Sequence, residues 1–193
     1  MTQPPARDRL MAVATALFYA EGIHAVGIDR IIAGAGVAKA TFYHHFASKD
    51  ELVRGYLVEE YQRQRNALEA VHRAAAGPRE ALLGIFELLV DNAAHPRFRG
   101  CPFTNAAAEY PDPDHPVRRT IADYRSWNRG LFRDLLAASA HPDPDGTATI
   151  LMAIRDGIVV GGALDDPAAL PLQVRATVTR LTDPGRAGAA PIV

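Results

Sequence analysis

Residues 27–51, GIDRIIAGAGVAKATFYHHFASKDE, constrain this chain more than any other stretch. Ile28, Ile31 and Ile32 recur at helical spacing, so a short helix can turn one apolar side inward. Gly34 and Gly36 interrupt that helix. Gly36 can take the positive φ of a tight turn, and Val37 plugs the corner. A second short helix follows from Lys39 to Phe46. Its Phe42 and Phe46 share one face, while Lys39, Thr41, Tyr43 and His45 cover the rest, with His44 beside them. A cation, a hydroxyl, a phenol and an imidazole on the front of a short helix can bond phosphates and base edges in a DNA groove. Ser48-Lys49-Asp50-Glu51 is a capping box, so a third helix starts there. Two ordinary core helices are the bland alternative, but the whole motif at this spacing, followed by a capping box, favours a DNA reader.

The run Val37-Ala38-Lys39-Ala40-Thr41-Phe42-Tyr43-His44-His45-Phe46, followed by Ser48-Lys49-Asp50-Glu51-Leu52, resembles the helix-turn-helix of the tetracycline-repressor-type (TetR/AcrR) transcriptional regulators. The resemblance is strong over residues 7–60; beyond them it extends to architecture, helix count and a Gly-Cys stretch. It implies an all-α fold of about nine helices. A three-helix DNA-binding domain would span 4–64 (helix-turn-helix about 27–46), a ligand-binding and dimerisation domain 65–185, and a flexible tail 186–193. Carried over position by position, Lys39 and Tyr43 match base or phosphate contacts, and Thr41 and His45 match backbone contacts. Ala40 fits where a small residue lets the helix approach base edges, Lys49 matches a lysine that meets phosphate at a helix N-terminus, and His44 is a further candidate. Two positions depart from the pattern: Ala38 and Gly27 stand where hydroxyl residues usually cap the two helices. Gly is a tolerable cap, whereas Ala costs on the order of 1 kcal/mol.

Formal net charge is −1, and residues 1–55 hold six Lys/Arg against five Asp/Glu. DNA affinity must then come from placement, dimerisation and helix N-termini rather than from bulk charge. The N-terminus has no apolar signal core, and no apolar run approaches the roughly 18 residues needed to span a bilayer. The single cysteine, Cys101, excludes an internal disulfide and agrees with a reducing cytoplasm. These features predict a cytoplasmic protein with no membrane partner.

Apolar periodicity predicts helices over 7–21, 49–75, 79–94, 102–110, about 114–140, 147–164 and 167–181, and no strand. Gly77-Pro78, the Pro-Asp-Pro-Asp-His-Pro run at 111–116 and the His-Pro-Asp-Pro-Asp-Gly run at 141–146 punctuate them, with Asp114 a candidate cap. Cys101, ahead of a small-residue helix, resembles a family stretch near the ligand pocket, where some members use the thiol as a sensor. A buried structural thiol is the plainer reading. Phe103, Asn105, Glu109, Tyr110, Tyr124 and Trp127 are candidates for a cavity wall, and a packed core is the alternative for each alone. Cys101, Phe103, Asn105, Tyr124 and Trp127 are the favoured ligand contacts. No cluster dictates the ligand's charge. Arg125, Arg129 and Arg133 read as a solvated stripe, with a groove for an acidic ligand the lesser reading.

Leu151, Ile154, Ile158, Gly161 and Gly162 lie near one helix face, with Gly157 four before Gly161. By resemblance the two closing helices form a homodimer interface through Leu151, Ile154, Gly157, Ile158 and Gly161; internal packing is the alternative. The seven histidines are scattered, no set has metal-ligand spacing, and no phosphate loop or nucleophile elbow occurs. The sequence therefore predicts a non-enzymatic regulator with no cofactor. Its partners would be a double-stranded DNA operator, an unknown small-molecule effector and a second copy of itself. The rival is a small all-α binding protein or enzyme with a vestigial DNA head.

Overall fold

A computed structural model describes residues 4–166 and 170–183; the tail expected at 186–193 lies outside them. The described residues form nine helices and no strand: α1 (Ala6–Glu21), α2 (Ile28–Ala35), α3 (Lys39–His45), α4 (Lys49–Ala74), α5 (Pro78–Ala93), α6 (Pro102–Glu109), α7 (Pro116–Ala138), α8 (Pro144–Leu164) and α9 (Leu170–Leu181). The all-α fold class is therefore as the sequence predicts. The helices group into two compact units. One holds the residues up to Arg63 and Cys101–Asp123; the other holds Gln64–Gly100 and the residues from Tyr124 on. The sequence alone places one boundary, after residue 64. Residues 101–123 nevertheless group with the N-terminal helices, for a reason given below.

In the first unit α1 packs on α2 and α3. Leu10, Met11, Ala14 and Phe18 of α1 are buried, at the three- and four-residue spacing that makes one face of a helix apolar. In the second unit α5, α8 and α9 pack on one another. Their core holds Leu82, Ile85 and Phe86 of α5, Leu151, Met152 and Ile158 of α8, and Val174 and Val178 of α9.

Among the described residues two helix starts differ from the sequence expectation, while the start expected at 167 lies outside them. α8 begins three residues early, because Asp143 Oδ1 accepts the Gly146 N–H at 3.0 Å and Pro144 fits the first turn. The cap of α7 falls to His115, whose Nδ1 accepts the Val117 N–H at 3.2 Å. Asp114 does not take that place: its own N–H goes to Asp112 Oδ1 at 3.0 Å. α8 also corrects the expectation that no segment approaches membrane length. It is 21 residues long and, by length and composition, apolar enough to cross a bilayer. It is the one such helix among the described residues. Its inner face packs in the core of the second unit and carries a buried arginine, as the core helix of a globular domain can.

Gly162 sets the approach of α8 to α5. A Cβ there would lie 2.5 Å from Ala93 Cβ and 3.2 Å from the Ala93 backbone, neither of which can swing aside. Gly162→Ala should therefore destabilise the protein by about 1–3 kcal/mol, as overpacking does, read as a fall in the urea midpoint. An unchanged midpoint would mean that the two helices separate freely.

Candidate functional site

The turn between α2 and α3 is built as the glycines predict. Gly36 is left-handed (φ 62, ψ 43), and its N–H reaches the carbonyls of Ala33 and Ile32. The Val37 N–H adds a bond to Ile32 O at 3.3 Å, which closes the end of α2. Gly27 and Ala38 occupy the N-caps of α2 and α3 in extended conformation, with no side-chain cap bond at either. Phe42 and Phe46 are buried, with ring centroids 6.0 Å apart, and fasten the back of α3. Its front is open: Lys39, Ala40, Tyr43, His44 and His45 are exposed and Thr41 is half-buried. Tyr43 is 48% exposed although it is a large aromatic. Ser48 Oγ accepts the Glu51 N–H at 3.1 Å, completing that half of the capping box. Lys49 opens α4 half-buried. Burial lowers its pKa from the usual lysine value, and Glu109 and Asp50 oppose that shift.

The cations of this face are held by carboxylates. Lys39 Nζ lies 3.2 Å from Asp29 Oδ1. Arg30 makes a two-point bond to Glu21 at 2.5 and 2.7 Å, and Arg54 reaches Glu51 at 2.7 Å. A DNA phosphate that met Lys39 would have to compete with Asp29 for it. An exposed pair is worth about 0.2–1 kcal/mol, so Asp29→Asn should tighten DNA binding about 1.4–5-fold at low salt. Fluorescence anisotropy reads this directly, and no gain would mean that Lys39 does not face DNA from this position.

Residues 101–123 join the first unit through carboxylates. Glu109, the last residue of α6, accepts the backbone N–H of Ile23 at 2.8 Å and of His24 at 2.6 Å. Those two donors lie in the link between α1 and α2. Gly22, at φ 93, lets the carboxylate in: a Cβ there would meet Glu109 Oε1 at 3.4 Å. Tyr110 Oη donates to Asp50 Oδ1 at 2.8 Å, and His115 Nε2 lies 3.4 Å from Asp50 Oδ2. Burial, then the bond to Asp50, pushes the Tyr110 phenol well above its usual pKa. The rings of His24, Tyr110 and His115 line up, with neighbouring centroids 5.4 and 4.7 Å apart. α6 is thus fastened to the α1–α2 link and to the start of α4.

The expected ligand contacts divide between the units. Cys101 and Phe103 are buried and Asn105 is exposed, all in the first unit; Tyr124 is buried and Trp127 half-buried in the second. Tyr124 belongs to a polar cluster that includes Arg155, a residue the sequence reading passed over. Its signal was a lone arginine in the most apolar helix. Arg125 is held by Asp156 and Arg133 by Asp134, while Arg129 is exposed.

The expected dimer residues do not form one exposed face. Leu151 and Ile158 are buried in the core of their own unit, Gly161 is buried and Ile154 is partly buried; Gly157 alone of the five is exposed. The outer face of α8 instead shows Ile150, Ala153, Gly157, Val160 and Leu164, with Leu164 78% exposed. Leu172 of α9 is 80% exposed.

Residues 10–56 match the family model described as bacterial regulatory proteins of the tetR family. The chain is similar to a solved TetR-family transcriptional regulator of Streptomyces coelicolor, SCO4454. The two share 39% identity and a TM-score of 0.87, over 92% of this chain and 94% of that one. It also resembles a putative TetR-type regulator of Streptomyces avermitilis (sav143), with 28% identity and a TM-score of 0.79 over 91% and 96% of the two chains. The HTH-type transcriptional repressor KstR2 of Mycobacterium tuberculosis is 38% identical over 84 residues, which is 42% of this chain and 40% of KstR2.

Proposed function

Because this chain belongs to the TetR family of bacterial transcriptional regulators, we propose that it is a cytoplasmic, homodimeric repressor that releases a near-palindromic operator when a small molecule binds the helical second unit. The observation that carries this reading is the front of α3. Lys39, Tyr43, His44 and His45 stand exposed over a back fixed by buried Phe42 and Phe46. That is how a recognition helix presents base-reading groups to a major groove. Two such helices on a symmetric dimer would meet successive major grooves, so the operator mirrors the two-fold axis.

The outer face of α8, with Ile150, Val160 and Leu164, supports dimerisation through that helix. An apolar stripe on a helix already packed on its inner side invites a second partner. Repression rather than activation is favoured by KstR2, which is named a repressor. Release would follow from unequal affinity of the effector for two arrangements of the heads. α4 and α7, which each supply residues to both units, are the continuous elements able to pass the change on. The protein would act by binding and perform no catalysis of its own.

The test is fluorescence anisotropy with DNA from immediately upstream of the chain's own gene, beside unrelated DNA, at two salt concentrations. Selective binding that weakens with salt is the expected result. If no genomic fragment is bound selectively, even in a genome-wide selection, the protein is instead a helical binding protein or enzyme with a vestigial head.

A further inference from the structure

We propose that the groove between α5 and α9 is the effector site, and that it takes a small apolar amine whose ammonium docks on the Asp91 carboxylate. This rests on the ligand-responsive reading above and gives that ligand a place and a chemical class.

The groove lies wholly within the second unit and has a volume of about 220 Å³. Phe86 and Val90 of α5 and Val174 and Val178 of α9 form its floor, and all four are buried. Half-buried Leu83 and exposed Leu172 carry the apolar lining out to solvent. An apolar cavity of about 150 Å³ admits a benzene ring, so this groove has room for one ring with a short arm.

The charged residues of the rim select the arm. Glu87 and Asp91 lie one turn apart on α5, and Arg175 comes from α9. Arg175 is already held by Glu87 in an ion pair. The Asp91 side chain makes no hydrogen bond or ion pair among the described residues. Two carboxylates against one guanidinium leave the rim with a formal charge of −1. An organic acid would have to take Arg175 from Glu87 and approach Asp91 as well. A neutral ligand would leave Asp91 unused. An ammonium on an apolar body satisfies both the floor and the free carboxylate, the pairing of apolar walls with a placed polar group that small-molecule sites use.

α5 touches both the groove and α4. Leu83 lines the groove, and at the next residue, Gly84, a Cβ would lie 2.9 Å from Val71 Cγ1 of α4. So close an approach leaves α5 little room to shift without moving Val71. A ring seated between α5 and α9 therefore presses α5 on the half of α4 that belongs to this unit, and α4 runs unbroken from Lys49.

The full-length protein is titrated by calorimetry at neutral pH with phenethylamine, and with phenethyl alcohol and hydrocinnamate, which keep the ring and change the charge. The amine should bind tightest and the acid weakest. Asp91→Asn should weaken the amine about fivefold and leave the alcohol unchanged. Arg175→Gln releases Glu87 and should tighten the amine by up to about fivefold. Both side chains are exposed and outside the core, so a thermal melt of each variant should match the wild type. The amine should also lower operator affinity, and less so in Asp91→Asn at the same concentration. No amine binding, an alcohol that binds as tightly, an amine affinity that neither variant moves, or operator binding indifferent to the amine would each overturn the inference. Operator anisotropy separates the two readings. Selective DNA binding without amine binding sinks the groove site alone. Amine binding that responds to both variants, without selective DNA binding, sinks the regulator reading and the effector role with it, and leaves the amine site standing.

Discussion

The Tyr43→Ala and Lys39→Ala variants should lose selective operator binding while melting like the wild type. Both side chains stand exposed on α3, and neither belongs to the core of the first unit. Truncating exposed groups of this kind changes stability by only about ±0.5 kcal/mol. Tyr43 does touch Phe42 edge-on, with ring centroids 5.1 Å apart, but Phe42 is anchored independently by burial and by Phe46. A base-reading contact is worth about 1–3 kcal/mol. A symmetric dimer loses it twice, so the expected deficit is about 2–6 kcal/mol, roughly thirtyfold at the least. The two variants should differ in kind. Lys39→Ala also lowers the slope of log affinity against log salt, because a released counterion is no longer counted. Tyr43→Ala leaves that slope alone and narrows the gap between operator and unrelated DNA. Anisotropy across a salt series, with a thermal melt of each variant, gives all of these numbers. Two variants that bind as the wild type does would remove α3 from the role of reading helix.

The head was legible because its signals are local. The αL turn at Gly36, the Ser48 cap and the Phe42–Phe46 pair each depend on residues within five positions of one another, so spacing alone finds them. α8 shows where spacing fails. It is apolar on nearly every side, so periodicity cannot say which face is spent inside. Leu151 and Ile158 went to the core of their own unit, and the outer stripe fell to Ile150, Val160 and Leu164. Counting uninterrupted apolar residues also missed the membrane-like length of α8, because Arg155 and Asp156 break the run without lowering its average much. The attachment of residues 101–123 to the N-terminal unit is the clearest non-local case. It depends on Glu109 meeting backbone donors 85 and 86 positions away, and no local pattern announces a carboxylate whose partners are main-chain N–H groups.

That carboxylate leads to the second large effect. Glu109→Ala should destabilise the N-terminal unit by about 2–4 kcal/mol, since it strands two backbone donors that a charged acceptor now satisfies. The bonds are short, 2.8 and 2.6 Å, and one of the donors belongs to Ile23, a buried residue. Water can replace part of the loss at the more open His24 N–H but little at Ile23. Glu109→Gln discriminates shape from chemistry. It keeps the length and one acceptor oxygen, but it turns an NH2 group toward a backbone N–H, donor against donor, and should recover only part of the deficit. Operator affinity should fall with stability in both variants, because the donors lie in the α1–α2 link that leads into the helix-turn-helix. Denaturant titration and anisotropy on the same preparations check the two effects together. If both variants stay within about 0.5 kcal/mol of the wild type, Glu109 does not fasten α6 to the head. Tyr110 and His115, through Asp50, would then hold that segment alone. If stability falls but operator affinity does not, the α1–α2 link can loosen without disturbing α3, and the placement of the reading helix rests on the Phe42 and Phe46 anchors instead.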